Sequence, residues 1–322
     1  MLMVSRNNPE LHPMLVRLFE GSIKPYRIKN VFLGKIYISQ CPGPSRLMVF
    51  DDPLAFLYGY FFLYKKDRHL RLWALELWSQ QVHVKNFRSL CRSVLFSVAE
   101  AFSYLLAGSI IFPSQSRMNF VHNAYAYFSL EKKSTLVLNV PIFSLPAARL
   151  DSVLQEKLLD FCASVKTVVI YAGSLQQGRL LEEMIFDGKW GPDVGLLICG
   201  SGSLESSIKE TELNQNGICF LGRLSQRELA YVYSLADVGI LSYSNEVSNT
   251  RFCAPVKIWE YIHHDLKIIG NHNYGLQNDW AGYVDGFYVN ASEIVSIVGD
   301  VKLDKSGSTI PTFSVDDICG LI

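Results

Sequence analysis

Short apolar runs alternate with amphipathic segments along most of the chain, which is the rhythm of an α/β protein built on parallel sheets. In the first half, the apolar runs predict strands at residues 2–5, 30–33, 46–50, 70–77, 109–112 and 135–140. In the second half, they predict strands at residues 167–172, 194–199, 217–221, 238–241 and 267–270, and a last helix at 292–298. The second set is apolar throughout, as central parallel strands usually are.

The alternation stops between residues 141 and 151, where two prolines stand close together. Such a break predicts a connector between two domains. We therefore expect a Rossmann-like domain at residues 1–145, a second Rossmann-like domain at 146–300 and a tail at 301–322. A chain of 322 residues with 49% hydrophobic content is long enough for two doubly wound α/β domains, each with its own core.

Charge and cysteine content exclude several classes of protein. The chain has 30 basic and 30 acidic residues, and this balance argues against a nucleic-acid partner. The seven cysteines are scattered and show no CxxC spacing, so neither a disulfide framework nor a zinc site is expected. A reducing cytoplasm is the expected compartment. The polar residues 6–10 interrupt the short apolar start, and no signal peptide is expected.

Two apolar stretches bear on membrane contact. Residues 93–112 are long enough to cross a bilayer, but Gly108 favours a core helix followed by a buried strand. Residues 53–64 are rich in Phe and Tyr and run into the basic residues Lys65, Lys66, Arg68 and Arg71. Aromatic residues beside a basic cluster suit contact with a membrane interface. The alternative is a core helix with a solvated basic end.

Residues 253–269 combine a proline, a lysine and a carboxylate at the start of a predicted helix. Pro255 suits the first helical turn, and Lys257 and Glu260 share a face because they stand three residues apart. A lysine at a helix N-terminus suits a phosphate, and a carboxylate one turn later suits a ribose diol. The alternative is an ordinary surface salt bridge on an amphipathic helix.

Turns that follow predicted strands are the next candidates, because ligands of open α/β sheets bind beyond the carboxyl ends of strands. Gly173 and Ser174 open a turn that ends near Arg179, and its glycines let backbone N–H groups approach a phosphate. Residues 200–205 resemble a dinucleotide-binding fingerprint but lack the third glycine. We interpret them as a tight turn from strand to helix.

A further turn follows the third strand of the second half. Gly222 and Arg223 precede Ser225, which is placed to cap a helix that begins with Gln226. The backbone of this turn is a candidate for hydrogen bonds to the edge of a nucleobase.

Four of these motifs, in this order and spacing, resemble the donor-binding domain of GT-B glycosyltransferases, especially the family-4-like retaining enzymes of bacterial polysaccharide assembly. The motifs are YAGSLQQGR, LLICGSGSLE, ICFLGRLSQRELAYVYSLADVGILSY and APVKIWEYIHHDLKIIGN. The resemblance is nearly continuous over residues 167–271, and in the first half it is limited to LNVP at 138–141. It implies two facing Rossmann-like domains with an interdomain cleft, a nucleotide-sugar in the second domain and an acceptor in the first.

The resemblance also implies roles for single residues. Glu260 corresponds to the carboxylate that binds the ribose, and Lys257 to the lysine of a proline-lysine variant of this helix. The loop that faces the diphosphate and the strip beside the nucleobase correspond to Gly173, Ser174, Gly222 and Arg223.

The chain departs from the family pattern at three positions. Phe252 stands where many members carry the first of two glutamates, and Ser174 and Gln177 replace the usual arginine and lysine of the diphosphate loop. Arg179, Arg223 and Lys257 are then the cations available to neutralise the leaving group, together with the helix N-terminus at Pro255. Lys257 is therefore a candidate catalytic residue as well as a binding residue.

The resemblance implies stabilisation of the leaving group without a metal, so no metal and no cofactor beyond the donor are expected. Adjacent Asp51 and Asp52 do not form an Asp-x-Asp motif, because neighbouring side chains of a strand point to opposite faces. Asp52 remains a candidate for contact with the acceptor. Glu76, near the end of a predicted strand, is the candidate catalytic residue of the first domain. The alternative is a buried glutamate paired structurally with an arginine.

These observations predict a glycosyltransferase that moves a sugar from a nucleotide diphosphate-sugar to a glycan or lipid-linked glycan, with retention implied by the resemblance. A cytoplasmic location is expected, and association with the inner face of the membrane is left open. Two alternatives also stay open. One is a nucleotide-sugar epimerase on the same scaffold, and the other is a GT-B-like partner subunit that has lost catalysis.

Overall fold

The computed structural model describes residues 2–5, 26–30, 34–40, 46–63, 68–81, 86–141, 143, 146–176, 178–214, 217–301 and 310. The chain divides into two compact units. The first unit comprises Met1–Ile142, Val247–Ala254 and Thr312–Ile322, and the second comprises Phe143–Glu246 and Pro255–Pro311. The segment Val247–Ala254 therefore belongs to the first unit, although the sequence places it deep in the second half.

Seven described strands form the sheet of the first unit. They are β1 (Leu2–Ser5), β2 (Tyr26–Asn30), β3 (Gly34–Gln40), β4 (Leu47–Phe50), β5 (His69–Trp73), β6 (Ser109–Phe112) and β7 (Ser134–Leu136). Their order across the sheet is β2-β3-β1-β4-β5-β6-β7. Strands β1, β4, β5, β6 and β7 pair in parallel, whereas β3 pairs antiparallel with both β1 and β2. Strand β3 was not predicted, and of the predicted strand at 30–33 only Asn30 lies within the described residues.

Three helices of the first unit follow strands. They are α1 (Pro53–Tyr58), α2 (Phe87–Leu106) and α3 (Gln115–Ala124). Helix α1 begins after Asp52, whose Oδ1 accepts hydrogen bonds from the N–H groups of Leu54 at 2.8 Å and Ala55 at 2.9 Å. Asp52 is fully buried, so it serves as a helix cap in place of the predicted contact with an acceptor. The predicted order of a helix and then a strand within residues 93–112 is confirmed.

Six described strands form the sheet of the second unit. They are β8 (Thr167–Ser174), β9 (Val194–Ser201), β10 (Ile218–Gly222), β11 (Val238–Leu241), β12 (Lys267–Asn271) and β13 (Gly286–Tyr288). Their order is β10-β9-β8-β11-β12-β13, and every pairing is parallel. Each of the five predicted strands is confirmed to within two residues at either end. Strand β13 was not predicted.

Helices cover this second sheet. They are α4 (Ser152–Ser164), α5 (Leu181–Phe186), α6 (Glu205–Asn214), α7 (Gln226–Tyr233), α8 (Lys257–His263), α9 (Tyr274–Asp279) and α10 (Ile294–Asp300). The turn at 200–205 joins β9 to α6 as predicted, and Glu205 Oε1 accepts a hydrogen bond from Gly202 N at 2.9 Å. The predicted cap of α7 is also confirmed, because Ser225 Oγ accepts from Glu228 N and Glu228 Oε2 accepts from Ser225 N.

Candidate functional site

The order of the second sheet reverses between β8 and β11. Strands β9 and β10 lie on one side of β8, while β11, β12 and β13 follow on the other. In an open α/β sheet, such a reversal leaves a crevice at the carboxyl ends of the two flanking strands, where ligands bind. Strands β8 and β11 pair directly. The loops that follow them are therefore the first place to look for a site.

These two loops contact each other. Ser244 N donates a hydrogen bond to Gly178 O at 3.0 Å, and the guanidinium carbon of Arg179 lies 4.5 Å from the centroid of the Tyr243 ring. Tyr243 is itself bound at both backbone groups by the side-chain amide of Asn271, at 3.0 and 2.9 Å. The structure thus places Arg179, a predicted diphosphate cation, in a cation–π contact at the reversal point of the sheet.

The end of β8 carries the predicted diphosphate loop. Ser174 is exposed and Gly173 is half-buried, and the Tyr171 hydroxyl donates to Ser174 O at 2.9 Å. Gly200 pairs with Gly173 across β8 and β9, with φ of 154°. A Cβ at Gly200 would lie 1.9 Å from Gly173 O. The close approach of these two strand ends therefore requires glycine at position 200.

Helix α8 begins two residues later than predicted. Pro255 lies before the helix, and the N–H groups of Ile258 and Trp259 reach back only three residues, to Pro255 O at 3.4 Å and Val256 O at 3.1 Å. Bonds of this kind define a tight turn, so the predicted place of Pro255 in the first helical turn is wrong. Pro255 is buried in the turn that leads into α8.

The predicted pair on α8 forms a network of three side chains. Lys257 Nζ lies 2.6 Å from Glu260 Oε2, the Tyr233 hydroxyl donates to the same oxygen at 2.8 Å, and Lys257 Nζ donates to that hydroxyl at 3.0 Å. The side chains of Lys257 and Glu260 are 24% and 7% exposed. The pair is therefore not an ordinary surface salt bridge, because the Glu260 carboxylate is buried and also accepts a hydrogen bond from Tyr233.

Two tyrosines connect this network to the reversal point. Burial, reinforced by the neighbouring Glu260 carboxylate, raises the pKa of Tyr233 well above its usual value, so its hydroxyl stays a hydrogen-bond donor. Tyr233 packs edge-on against Tyr261, with ring centroids 5.6 Å apart. The Tyr261 hydroxyl lies 3.3 Å from Ile240 O of β11 and 3.4 Å from Ile170 O of β8. Helix α8 is thereby anchored on the two strands that flank the crevice.

Gly222 and Arg223 lie at the carboxyl end of β10, on the same edge of the sheet. Gly222 has φ of 72°, a conformation that favours glycine, and Arg223 is exposed. Strand β10 is two strands away from β8, which is about 10 Å. This distance places the turn beside the crevice, where the resemblance puts the nucleobase, and away from Arg179.

The first unit holds the other predicted catalytic residue. Glu76 lies in the loop after β5. The predicted strand reached residue 77, but the observed strand ends at Trp73. Asn249 contacts this loop twice: its Nδ2 donates to Glu76 Oε2 at 2.7 Å, and its Oδ1 accepts from Leu77 N at 3.0 Å. The side-chain amide of Asn249 therefore fixes both the carboxylate and the backbone beside it.

Arg117 joins the same loop to the segment Val247–Ala254. Its buried guanidinium donates to Leu75 O, and also to Asn249 O at 3.3 Å and Phe252 O at 3.3 Å. Arg117 thus binds the carbonyl next to Glu76 and also the side chain of Asn249, at 3.4 Å. The alternative of a glutamate paired directly with an arginine stays a prediction. Neither Arg117 nor Asn249 was predicted, because no local pattern marks either residue.

Phe252 has a structural role in this segment. Its ring stacks on Phe120 with centroids 4.7 Å apart and packs against the hydrophobic core of the first unit. The position at which the resemblance expects a carboxylate is therefore filled by an apolar contact.

Some predicted residues fall outside the described part of the chain, among them Gln177, Lys65 and Lys66. Within the described residues, no group of three or more His, Cys, Asp or Glu side chains is arranged to bind a metal ion. The expectation that no metal takes part stays a prediction.

Comparison with models of known protein families gives no match, and comparison with curated proteins gives none. Solved structures do match. The Anabaena protein HepE in complex with UDP-glucose is similar with a TM-score of 0.55 and 14% identity, over 79% of this chain and 68% of HepE. Sucrose-phosphate synthase from Thermosynechococcus elongatus is similar with a TM-score of 0.52 and 17% identity, over 80% of this chain and 64% of that chain. The chain has the GT-B fold of glycosyltransferases, as predicted.

Proposed function

We propose that this protein is a glycosyltransferase whose donor is a nucleoside diphosphate sugar. The observation that carries the proposal is the arrangement at the reversal point of the second sheet. Arg179 lies in the loop after β8, and Lys257 and Glu260 lie on a helix anchored to β8 and β11. A diphosphate requires cations and a ribose requires a hydrogen-bond acceptor, and these side chains supply both. The UDP-glucose complex of a protein with the same fold supports this choice of donor.

The predicted residues of the second unit other than Pro255 then have chemical roles. Glu260 accepts hydrogen bonds from the ribose hydroxyls, on a carboxylate that Tyr233 already orients. Arg179 and Lys257 neutralise the charge that develops on the departing diphosphate, together with the backbone at Gly173 and Ser174. The exposed turn at Gly222 and Arg223 contacts the nucleobase. In this scheme no metal is needed, because the cations of the chain carry the compensating charge.

In this proposal, the acceptor substrate binds to the first unit. Glu76 is the candidate group beside the acceptor, and Asn249 sets the direction of its carboxylate. A glycan or lipid-linked glycan as acceptor, retention of configuration, a part in polysaccharide biosynthesis and a cytoplasmic location complete the proposal. They rest on the resemblance in sequence.

The test is a calorimetric titration of the purified protein with UDP, GDP, CMP and their common sugar conjugates, with and without EDTA. We expect selective binding of one nucleoside diphosphate that does not depend on EDTA. Glu260→Ala should weaken that binding by about 1.5 to 3 kcal/mol, since a hydrogen bond to a charged group is lost. Glu182→Ala, which removes an exposed glutamate of the same unit, is the control and should bind like the wild type. Unchanged affinity in a folded Glu260→Ala protein would contradict the site.

Product analysis separates the remaining alternatives. A glycosyltransferase releases nucleotide only when an acceptor takes the sugar. An epimerase would instead change the nucleotide-sugar without acceptor and without release of nucleotide. Binding of a nucleotide-sugar with no turnover on any acceptor would favour a partner subunit that has lost catalysis.

A further inference from the structure

Helix α2 of the first unit is apolar on its outer face. Phe87, Val94, Val98, Phe102 and Leu105 are between 47% and 77% exposed. Their spacing of three, four and seven residues places them on one side of the helix, along its whole length. We call these five residues the outer stripe. The prediction of a core helix in this region is therefore correct for only one face.

The inner face of α2 ties the helix to the unit. Ser103 and Tyr104 are buried there, and Ser103 Oγ donates to Pro53 O at 3.2 Å. By length and composition the helix could cross a membrane, and 28% of its apolar stretch is buried in the structure. Because the inner face packs on the protein, a partner can reach α2 only from the side that carries the outer stripe and its exposed neighbours.

The exposed charged side chains of α2 are all basic. Arg88 and Arg92 are exposed near its start, and Lys133 Nζ donates to Leu105 O and Ala107 O at its end. The one acidic residue of the helix, Glu100, is 4% exposed. The surface around the outer stripe is therefore cationic at both ends, with no exposed carboxylate from the helix itself.

The helix next to α2 adds further exposed aromatic residues. Helix α1 packs against α2 and continues into the turn Gly59–Leu63, where Phe61 is 70% and Phe62 is 72% exposed. Arg71 does not belong to the basic surface cluster that the sequence predicted after this turn. It is buried, and its Nε donates to Ser109 Oγ at 2.7 Å. Phenylalanine is one of the residues that interfacial helices place on their membrane-facing apolar side.

We propose that α2 docks the protein on an anionic lipid surface, with the outer stripe inserted at the boundary of headgroups and acyl chains. A helix with one apolar face and flanking arginines lies in the plane of such a surface, and its binding combines apolar burial with attraction to acidic lipids. A second copy of the chain is a poorer partner, because it brings the same arginines and no exposed acid from this helix. The proposal does not depend on the donor site.

The test is co-sedimentation of the full chain with vesicles of phosphatidylcholine alone and of phosphatidylcholine with phosphatidylglycerol. We expect binding to the second kind only. Val94→Ser, Val98→Ser and Phe102→Ser combined should lower the partition coefficient by more than about tenfold. Arg88→Gln with Arg92→Gln should lower it by roughly 25-fold, at about a factor of five per charge.

The matched control carries Val153→Ser and Leu213→Ser, which remove apolar side chains that are 72% and 85% exposed on the second unit. This variant should bind vesicles like the wild type. Circular dichroism checks that every variant is folded, and titration with the nucleotides checks the donor site separately. Loss of nucleotide binding with vesicle binding intact would count against the proposed function alone.

Cys91 gives a readout that needs no substitution. It is the exposed cysteine among those described, and it lies on α2 between Phe87 and Val94, four and three residues from these members of the outer stripe. Its alkylation, followed by mass spectrometry of its peptide, should slow when phosphatidylglycerol vesicles are added. Unchanged alkylation, equal binding to neutral vesicles, or wild-type binding by the triple serine variant would each overturn the proposal. So would a dimer in sedimentation velocity that the triple variant abolishes, because the stripe would then bind a second copy.

Discussion

The two units position their candidate groups in different ways. In the first unit, Glu76 depends on the side chains of Asn249 and Arg117, which come from distant parts of the sequence. In the second unit, the candidate groups depend on backbone turns at strand ends and on a helix anchored by tyrosines. The first arrangement is a network of long-range side-chain contacts, and the second is mainly a property of the sheet.

This difference determines which substitutions should matter. A side-chain network loses its geometry when one member is removed, because the remaining polar groups are left buried without partners. A site formed by backbone turns tolerates changes of neighbouring side chains but not a Cβ where two strands approach closely. The four predictions below test this contrast.

The largest effect is expected from Arg117→Ala in the first unit. It should lower the free energy of unfolding by about 3 kcal/mol or more, because several buried backbone carbonyls lose a charged hydrogen-bond donor. Urea unfolding followed by tryptophan fluorescence measures the loss. Arg223→Ala, which removes an exposed arginine, should change stability by less than about 0.5 kcal/mol. A loss below about 1 kcal/mol in Arg117→Ala would show that the network contributes little.

Gly200→Ala is the corresponding change in the second unit. We expect a loss of about 2 to 3 kcal/mol, since the new Cβ would meet Gly173 O and the backbone has positive φ. Nucleotide binding should weaken as well, because the diphosphate loop must shift. Thermal and urea unfolding are compared with Gly191→Ala, where a Cβ meets nothing within 4 Å. Equal stability of the two variants would contradict the close approach.

A double-mutant cycle of Glu76→Ala and Asn249→Ala sharpens the contrast. We expect a coupling energy of about 1 kcal/mol, because each single change already removes the hydrogen bond between the two side chains. The cycle is measured by urea unfolding and needs no substrate. Additive losses would mean that Asn249 does not orient Glu76. As a control, Glu131→Ala at an exposed position should combine additively with Asn249→Ala.

The smallest effect concerns Glu100 in α2. Burial raises the pKa of this carboxyl, although hydrogen bonds from Ser79 and Trp78 oppose the shift. A carboxyl with a raised folded pKa contributes stability below its ordinary pKa and loses it as the pH rises through the folded pKa. Glu100→Gln should therefore become more stable relative to the wild type as the pH rises above the ordinary pKa of a glutamate, measured by urea unfolding across that range. Parallel pH profiles of unfolding for the two proteins would contradict the shift.

The strands of the second unit were predicted well because they are buried on both faces. Their apolar runs begin and end at glycine or polar residues, so the pattern marks their limits. The first unit was harder. Strand β3 lies in an antiparallel pairing and mixes apolar with polar residues. Ala74, Leu75 and Leu77 are apolar because they are buried in the loop after β5, and not because they extend the strand.

In the candidate site, too, only residues that belong to a local sequence pattern could be predicted. Gly173, Arg179, Lys257 and Glu260 were identified because they follow strands or stand one helical turn apart. No local pattern identifies the residues that contact Glu260 and Glu76. Tyr233 lies 27 positions from Glu260, and Asn249 lies 173 positions from Glu76. A contact across that separation depends on the path of the whole chain.

The sequence by itself determined the α/β class, five of the six strands of the second sheet, the glycine turns at their ends and the shared face of Lys257 and Glu260. These features depend on backbone sterics and on periodicities within a few residues. Only the tertiary structure decided that Val247–Ala254 belongs to the first unit, that Tyr233 shares the Glu260 carboxylate and that one face of α2 stays exposed. Which groups meet, and which remain in water, follows from the packing of distant segments against each other.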